Sequence, residues 1–350
     1  MLKAAMQRLF QSGEVKADYS DAVRALTLEA GKLSFVLDMT PEQARHSQAD
    51  LPILTALGKT LPSVSEVSIV MTAERSETPP PSLKIGRHPD PTDGRSRIKG
   101  VQRVIAIGSG KGGVGKSTVT SNLATALAAQ GLSIGLLDAD IYGPSQPRML
   151  GQSERPKIGN DKLIQPVHAH GVTLMSMGLM VEEGEAVVWR GPMLMGAMQQ
   201  MMHQVAWGDL DILFVDLPPG TGDVQLSLSQ RTEVDGAIVV STPQDVALLD
   251  ARKALNMFDK TQTPVIGLIE NMSSYICPNC GHEAHIFGHG GVAAEAKTLS
   301  LPYLGALPLD ISVRLAGDAG RPVALGEGKA AKAFHTLADI VMDKLEVSHG

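Results

Sequence analysis

A glycine-rich run from Ile107 to Thr118, IGSGKGGVGKST, constrains the possible fold more than any other part of the chain. It fits the pattern G-x-x-x-x-G-K-[ST] from Gly110 to Ser117, directly after a strand-like segment and before a helical pattern that begins near Ser117. Glycines without side chains let successive backbone N–H groups turn inward on a phosphate, and the start of a helix adds the positive end of its dipole. The run therefore predicts a strand, a phosphate-binding loop and a helix in that order.

The phosphate-binding loop contains two lysines with different expected roles. Lys116 is predicted to place its charge on the β and γ phosphates of a bound nucleotide, and Ser117 to supply an oxygen ligand for Mg²⁺. Lys111 comes early in the loop, where neither the loop geometry nor the binding of one nucleotide requires a lysine. The residues expected to contact the nucleotide are Gly110, Lys111, Gly112, Gly113, Val114, Gly115, Lys116, Ser117 and Thr118.

Apolar, β-branched runs alternate with helical segments from Arg103 onward. Their hydrophobicity is continuous rather than alternating, which is typical of strands buried on both faces. The predicted fold is therefore α/β, a mostly parallel sheet with helices on both faces, and functional residues are expected at the carboxyl ends of the strands. The predicted strands are 104–107, 134–138, 212–216, 236–241 and 265–270.

Carboxylates follow two of these predicted strands. Asp138 and Asp140 end one strand, and Asp216 ends another just before the run PPGTGD. A carboxylate at a strand end can hold the Mg²⁺ shell, and a second one can orient the attacking water. We assign Asp216 to Mg²⁺ and Asp140 to the water, with Asp138 in support. Gly220 is predicted to sense the γ phosphate through its backbone N–H.

The overall charge makes some classes of partner poor candidates. A net charge of -6 and a pI near 5.9 give no basic surface of the kind that grips a phosphate backbone, so we expect no nucleic-acid partner. No apolar run is long enough to span a bilayer, and the first residues lack the features of a secretory leader, so we expect no membrane partner and a cytoplasmic location.

The chain is predicted to contain two domains joined by a linker. Residues 1–73 indicate a small α+β domain, residues 74–100 a proline-rich extended linker, and residues 101–350 the nucleotide-binding domain. The small domain is expected to contain a helix over 20–30, a strand over 33–37, a helix after Thr40 and a strand over 66–71.

The only two cysteines, Cys277 and Cys280, stand two residues apart. Such a pair can share one metal or one edge of a cluster, although tetrahedral and cubane sites take four ligands. His282 and His285 could complete a zinc site within one chain. A thioredoxin-like redox pair is a second hypothesis. A cluster held by four cysteines from two chains is the third.

Several motifs occur together from about residue 100 to residue 345. They are GKGGVGKST, LLDADIYGPS, WRGPM (189–193), VDLPPGTGD, STPQDVALLDARKA (241–254), ENMS and CPNCG. Their combination closely resembles the Mrp or ApbC type of iron-sulfur carrier ATPase, which is part of the deviant Walker A class of MinD, ParA and the nitrogenase iron protein. Residues 1–73 look like the small domain ahead of the ATPase in many relatives and in PaaD-like assembly factors.

The resemblance implies ATP hydrolysis with Mg²⁺ and a [4Fe-4S] cluster bridged between the subunits of a homodimer through Cys277 and Cys280. It further implies an upstream cluster assembly scaffold as donor and apo iron-sulfur proteins as recipients. Lys111 is expected to reach the nucleotide of the partner subunit. Asn271 is a candidate for reading the adenine edge, and the loop at Pro308 for covering the base.

Two rival functions share the phosphate-binding loop. A MinD- or ParA-like positioning ATPase, with a structural zinc at the cysteine loop, would need a membrane helix or a DNA-binding surface, and neither is visible in the sequence. An electron donor like the nitrogenase iron protein would hold its cluster with cysteines far apart in the chain.

Overall fold

The computed structural model describes residues 19, 21–29, 31–62, 64–73, 95–180, 191–220 and 223–345. These residues fall into two compact units that divide between residues 82 and 83. Most of the predicted linker, residues 74–94, lies outside the described residues, and so do parts of the WRGPM and PPGTGD motifs. Residues 95–100 pack on the larger unit, where Ile98 is buried and Ser96 bonds the backbone of Arg231.

The smaller unit is a three-stranded sheet with one long helix. Strand β2 pairs antiparallel with β1 and parallel with β3, so the strand order is β1-β2-β3. The helix begins at a capping box in which the side chains of Thr40 and Gln43 each bond the other's backbone N–H. The elements are β1 (Val23–Glu29), β2 (Lys32–Met39), α1 (Pro41–Lys59) and β3 (Glu66–Ala73). The structure confirms the two predicted strands and the helix after Thr40.

The predicted helix over 20–30 is wrong, because this segment is strand β1. The register between β1 and β2 shifts between Arg24 and Thr27, and Ala25 there has a φ of 49°. This β-bulge interrupts the regular alternation of side chains that would have marked a strand in the sequence. Pairing with β2 satisfies the backbone groups of β1 and overrides the local helical pattern.

The larger unit alternates strands and helices along the chain. Its strands are β4 (Val101–Gly108), β5 (Ile134–Asp138), β6 (Lys157–Ile158), β7 (Ile164–Gln165), β8 (Val167–Ala169), β9 (Val172–Ser176), β10 (Leu210–Asp216), β11 (Gly236–Ser241), β12 (Val265–Glu270), β13 (Tyr275–Ile276), β14 (Glu283–Ala284) and β15 (Tyr303–Ala306). Its helices are α2 (Lys116–Ala129), α3 (Gln146–Met149), α4 (Gly191–His203), α5 (Asp223–Arg231), α6 (Asp245–Lys260), α7 (Gly291–Thr298), α8 (Ile311–Asp318) and α9 (Lys329–Leu345).

Eight of these strands form one sheet in the order β15-β12-β11-β4-β10-β5-β9-β8. All neighbours are parallel except β8 and β9 at one edge. The five predicted strands and the α/β class are therefore confirmed. In this register Asp216 pairs with both Ile107 and Asp138, so the phosphate-binding loop and two strand-end carboxylates meet at one edge of the sheet.

Hydrophobic layers cover both faces of the sheet, as the continuous apolar runs require. On one face β-strand residues such as Leu213 pack with α4 and α6, and the methionines Met198, Met201 and Met202 are buried there. On the other face Phe214 and its neighbours pack with α2 and α9. In the described part of the chain, no helix combines the length and the apolar character needed to cross a membrane.

Candidate functional site

The phosphate-binding loop owes its shape to glycines at positions where a side chain does not fit. Gly113 and Gly115 both have a φ of 80°, which favours glycine. A Cβ at Gly110 would collide with the backbone of Asp250 in α6, so this helix packs directly against the loop. Helix α2 begins after Gly115 without a side-chain cap. Its first N–H groups are therefore available to an anion.

Lys116 and Asp216 form a buried ion pair at the centre of the site. The Lys116 Nζ lies 2.5 Å from the Asp216 Oδ1, and the two side chains are 6% and 0% exposed. Thr120 Oγ1 donates to the same carboxylate oxygen at 3.1 Å. The structure thus brings the predicted phosphate-binding lysine and the predicted Mg²⁺ carboxylate into direct contact, next to Ser117.

Gln146 is a site residue that the sequence analysis missed. It is fully buried at the start of α3 and donates its Nε2 to Asp216 Oδ2 at 2.8 Å and to the carbonyl oxygen of Ser117 at 3.0 Å. An isolated glutamine between Ser145 and Pro147 matches no nucleotide-site pattern. Only the fold shows that α3 carries it to the end of β10.

Asp138 is a buried carboxylate with an altered acidity. Burial, and secondly the negative charge of Asp216, raise its pKa from 3.8 to about 7. Hydrogen bonds from the backbone of Gln146 and Asp140, and the charge of Lys116, act in the opposite direction. Its Oδ2 accepts from the N–H groups of Ser145 and Gln146 and from a serine hydroxyl on β9. Asp138 therefore fixes the loop that leads into α3.

Asp140, the predicted water-orienting residue, lies two residues beyond the end of β5. Its side chain is half-buried, and its Oδ1 accepts the backbone N–H of Gly143 at 3.2 Å. Its own N–H donates to Asp138 Oδ1 at 3.2 Å. Asp140 is therefore more exposed than Asp138 and Asp216, and the hydrogen bonds described for it lie within the loop from Asp138 to Gly143.

Gly220 and Lys111 each make a hydrogen bond that joins the phosphate-binding loop to a neighbouring segment. The N–H of Gly220, whose φ is 94°, donates to the carbonyl oxygen of Ser109 at 3.0 Å. The Nζ of Lys111 lies 3.4 Å from the Oε1 of Gln244, just before α6. Gly220, the predicted γ-phosphate sensor, is therefore bonded to the phosphate-binding loop, and Lys111 within that loop is bonded to the residue before α6.

Asn271 packs against the phosphate-binding loop from the end of β12. Its Nδ2 donates to the carbonyl oxygen of Val114 at 2.8 Å, and its side chain leaves no room for a Cβ at Gly115. Pro308 is half-buried in the loop after β15. Its neighbour Leu309 donates its N–H to the carbonyl oxygen of Ser274 at 2.7 Å. The adenine contacts of Asn271 and Pro308 stay predictions.

The cysteine pair occupies the tip of a hairpin formed by β13 and β14. The N–H of Cys277 donates to the carbonyl oxygen of His282, and the N–H of Gly281 donates to that of Cys277, both at 2.9 Å. Both thiols are free, with Cys277 partly exposed and Cys280 exposed. Backbone hydrogen bonds from Cys280 and then Asn279 lower the pKa of the Cys277 thiol. The tip therefore presents two accessible thiols, one of which ionises readily.

The two histidines of the hypothetical zinc site have different surroundings. His285 Nδ1 lies 3.0 Å from the carbonyl oxygen of Ser273, and the ring of His285 lies 4.4 Å from that of His289. His282 is exposed beside the cysteines. Across the described ranges, no three His, Cys, Asp or Glu side chains gather as they would around a metal ion.

Comparison with known proteins identifies the family. A ParA family model, described as NUBPL iron-transfer P-loop NTPase, matches residues 100–342. The iron-sulfur cluster transfer protein NUBPL of Mus musculus is 50% identical over 255 residues, which cover 72% of this chain and 80% of that protein. The iron-sulfur cluster carrier protein of Aquifex aeolicus is 38% identical over 357 residues, 99% of this chain and 98% of its own length.

Solved structures give the same answer for the fold. A nucleotide-binding protein from Archaeoglobus fulgidus in complex with ADP has a TM-score of 0.56 at 37% identity, over 63% of this chain and 87% of its own. The septum site-determining protein MinD of Pyrococcus horikoshii, complexed with Mg-ADP, has a TM-score of 0.52 at 25% identity, over 70% and 97%. The chain therefore belongs to the NUBPL iron-transfer P-loop NTPases and has their MinD- and ParA-like nucleotide-binding fold.

Proposed function

We propose that the protein is an ATP-hydrolysing carrier that holds a [4Fe-4S] cluster between two copies of the chain and passes it to apo iron-sulfur proteins. The observation that carries the proposal is the pair of accessible thiols, Cys277 and Cys280, at a hairpin tip, on a chain that is similar to named cluster carriers. A MinD- or ParA-like positioning function would leave this pair without a use.

The groups at the carboxyl edge of the sheet bind the nucleotide and its Mg²⁺. Lys116 and the N-terminus of α2 neutralise phosphate charge, and Ser117 and Asp216 supply the oxygen ligands that Mg²⁺ prefers. The residues fit this ion because the Ser117 hydroxyl and the buried Asp216 carboxylate both contact the Nζ of Lys116. When bound, Mg²⁺ supplies positive charge to the phosphate oxygens. Asp140, which is half-buried two residues beyond Asp138, orients the attacking water.

The cluster half follows from the number of ligands. A [4Fe-4S] cluster is normally held by four cysteines, and the chain contains two. A two-fold axis brings the same hairpin from each copy to one point and supplies the missing pair. Lys111, beside Gln244 on the face of the phosphate-binding loop, then acts across the homodimer on the partner's nucleotide.

The cargo defines the partners by chemistry. An upstream assembly scaffold loads the cluster, and apo-proteins with vacant thiolate sites receive it. Free thiols two residues apart persist in a reducing compartment, so we place the exchange in the cytoplasm. The smaller unit lacks cysteine and takes no part in ligation.

Anaerobic reconstitution tests the bridging model. Iron per dimer and oligomeric mass are measured for the wild type, Cys277→Ala, Cys280→Ala and the double variant His282→Ala/His285→Ala. We expect about four irons per dimer. Either cysteine variant should lose them, and the histidine variant should keep them. A monomer with a full cluster, or a histidine variant that loses iron, would return the choice to zinc or to a mixed-ligand site.

A further inference from the structure

Gln146 connects three parts of the nucleotide site. Its Nε2 donates to Asp216 Oδ2 at 2.8 Å and to the carbonyl oxygen of Ser117 at 3.0 Å. Its backbone N–H donates to Asp138 Oδ2 at 3.1 Å. One side chain thus fixes the distance between the carboxylate and the loop residue that are proposed to hold Mg²⁺.

The other end of the same amide has no partner. The Gln146 Oε1 is buried and accepts no hydrogen bond from the described residues. A buried acceptor without a donor is destabilising, whereas an apolar side chain of similar shape would fill the same space without that cost. A role in packing alone therefore does not account for a glutamine here.

The neighbouring acceptors are already occupied. Asp216 Oδ1 receives Lys116 Nζ and Thr120 Oγ1, and Asp216 Oδ2 receives Gln146 Nε2. The neutral Gln146 Oε1 receives no donor from the described residues. Water bound to Mg²⁺ donates hydrogen bonds through both protons and is a poor acceptor for an amide N–H, because its oxygen is already bound to the cation. An uncharged carbonyl oxygen with no other donor suits such a water.

We propose that Gln146 is a positioning residue for the Mg²⁺ of the bound nucleotide, which holds the Asp216 carboxylate towards Ser117 and accepts a hydrogen bond from a Mg²⁺-bound water. This inference rests on the proposed Mg²⁺-dependent nucleotide site. It makes the enhancement of nucleotide binding by Mg²⁺ depend on Gln146, which belongs neither to the phosphate-binding loop nor to the carboxylates at the strand ends.

The test compares nucleotide binding with and without the metal. A fluorescent ADP analogue is titrated into wild type and Gln146→Met, once in excess Mg²⁺ and once in EDTA, and the Mg²⁺ concentration for half-maximal ATP hydrolysis is measured alongside. Loss of a partner that orients a metal ligand usually costs about 10- to 100-fold in metal affinity. We expect Gln146→Met to bind the analogue within about twofold of wild type in EDTA and to lose about tenfold or more of the enhancement by Mg²⁺.

Gln200→Met is the matched control, because Gln200 is a buried glutamine on α4 outside this site. It should keep the full Mg²⁺ enhancement. Gln146→Leu serves as a second variant if the methionine does not fold. An unchanged enhancement in a folded Gln146 variant, or an equal loss with and without Mg²⁺, overturns the inference. A wild type without any Mg²⁺ enhancement instead overturns the proposed metal site itself.

Discussion

The buried pair of Lys116 and Asp216 yields a prediction whose size follows from its burial. Asp216→Asn leaves the ammonium of Lys116 in a site where it is 6% exposed and 2.5 Å from its former partner. Removing one member of a buried pair costs about 3–5 kcal/mol. Removing the charge of Asp216 lowers the pKa of Asp138, whose carboxylate then partly neutralises Lys116, so we expect the lower value, about 3 kcal/mol.

The loss of stability caused by Asp216→Asn should be smaller when nucleotide is bound. In a chain segment of this size each kcal/mol lowers the melting temperature by about 2–4 °C, so the nucleotide-free variant should melt about 6–12 °C below wild type. A bound ADP gives Lys116 a phosphate in place of Asp216, so saturating ADP in EDTA should remove at least half of the difference. Trp207 is buried in the larger unit, so its fluorescence follows the unfolding of that unit.

The control is an ion pair of the same charge type on the surface. Arg314 and Asp318 in α8 are 65% and 53% exposed, and Asp318→Asn should change stability by less than about 1 kcal/mol with or without ADP. An Asp216→Asn loss no larger than that of the control would refute the reasoning about burial. A loss of equal size with and without ADP would refute the exchange of Asp216 for phosphate.

Two other predictions concern the neighbouring acids. Asp140→Asn should lower ATP turnover by about 100-fold or more while Mg-ATP affinity changes far less, because water orientation matters mainly in the transition state; an equal fall in affinity would make it a binding residue. The pKa of Asp138 is about 7 in the folded chain and 3.8 when the chain is unfolded, so the folded state holds the proton more tightly. The contribution of Asp138 to stability is therefore lost as pH rises from about 4 to 7, by roughly 4 kcal/mol at most. The melting temperature of Asp138→Asn minus that of wild type should therefore increase over this interval and level off above it, and a constant difference would contradict the shift.

The sheet could be predicted because its signal is local. Each central strand is an uninterrupted apolar run, and the phosphate-binding loop is marked by glycines whose spacing reflects backbone contacts with an anion. Strand ends in a parallel sheet share one edge, so the meeting of Asp138 and Asp216 also follows from sequence. Strand β1 was not predictable in this way because its bulge at Ala25 hides the period of two.

Gln146 shows the limit of the same reasoning. Its partners Ser117 and Asp216 stand 29 and 70 positions away in the chain, and the residue itself lies in a four-residue helix with no motif. A glutamine in such a segment is usually a surface residue. The sequence contains no pattern that separates it from one until the fold brings α3 beside β10.

The cysteine hairpin is also attached beside the nucleotide site by a hydrogen bond between residues far apart in the chain. Asn271 bonds Val114 in the phosphate-binding loop across 157 positions, and the next residue towards the amino end, Glu270, accepts the N–H groups of Gly290 and Val292 at the start of α7. The hairpin that carries the cysteines lies between these two attachments in the chain, so both of its ends are tied to residues at the edge of the nucleotide site. The hairpin is therefore anchored at both ends to neighbouring residues at the end of β12, one of which bonds the phosphate-binding loop at Val114.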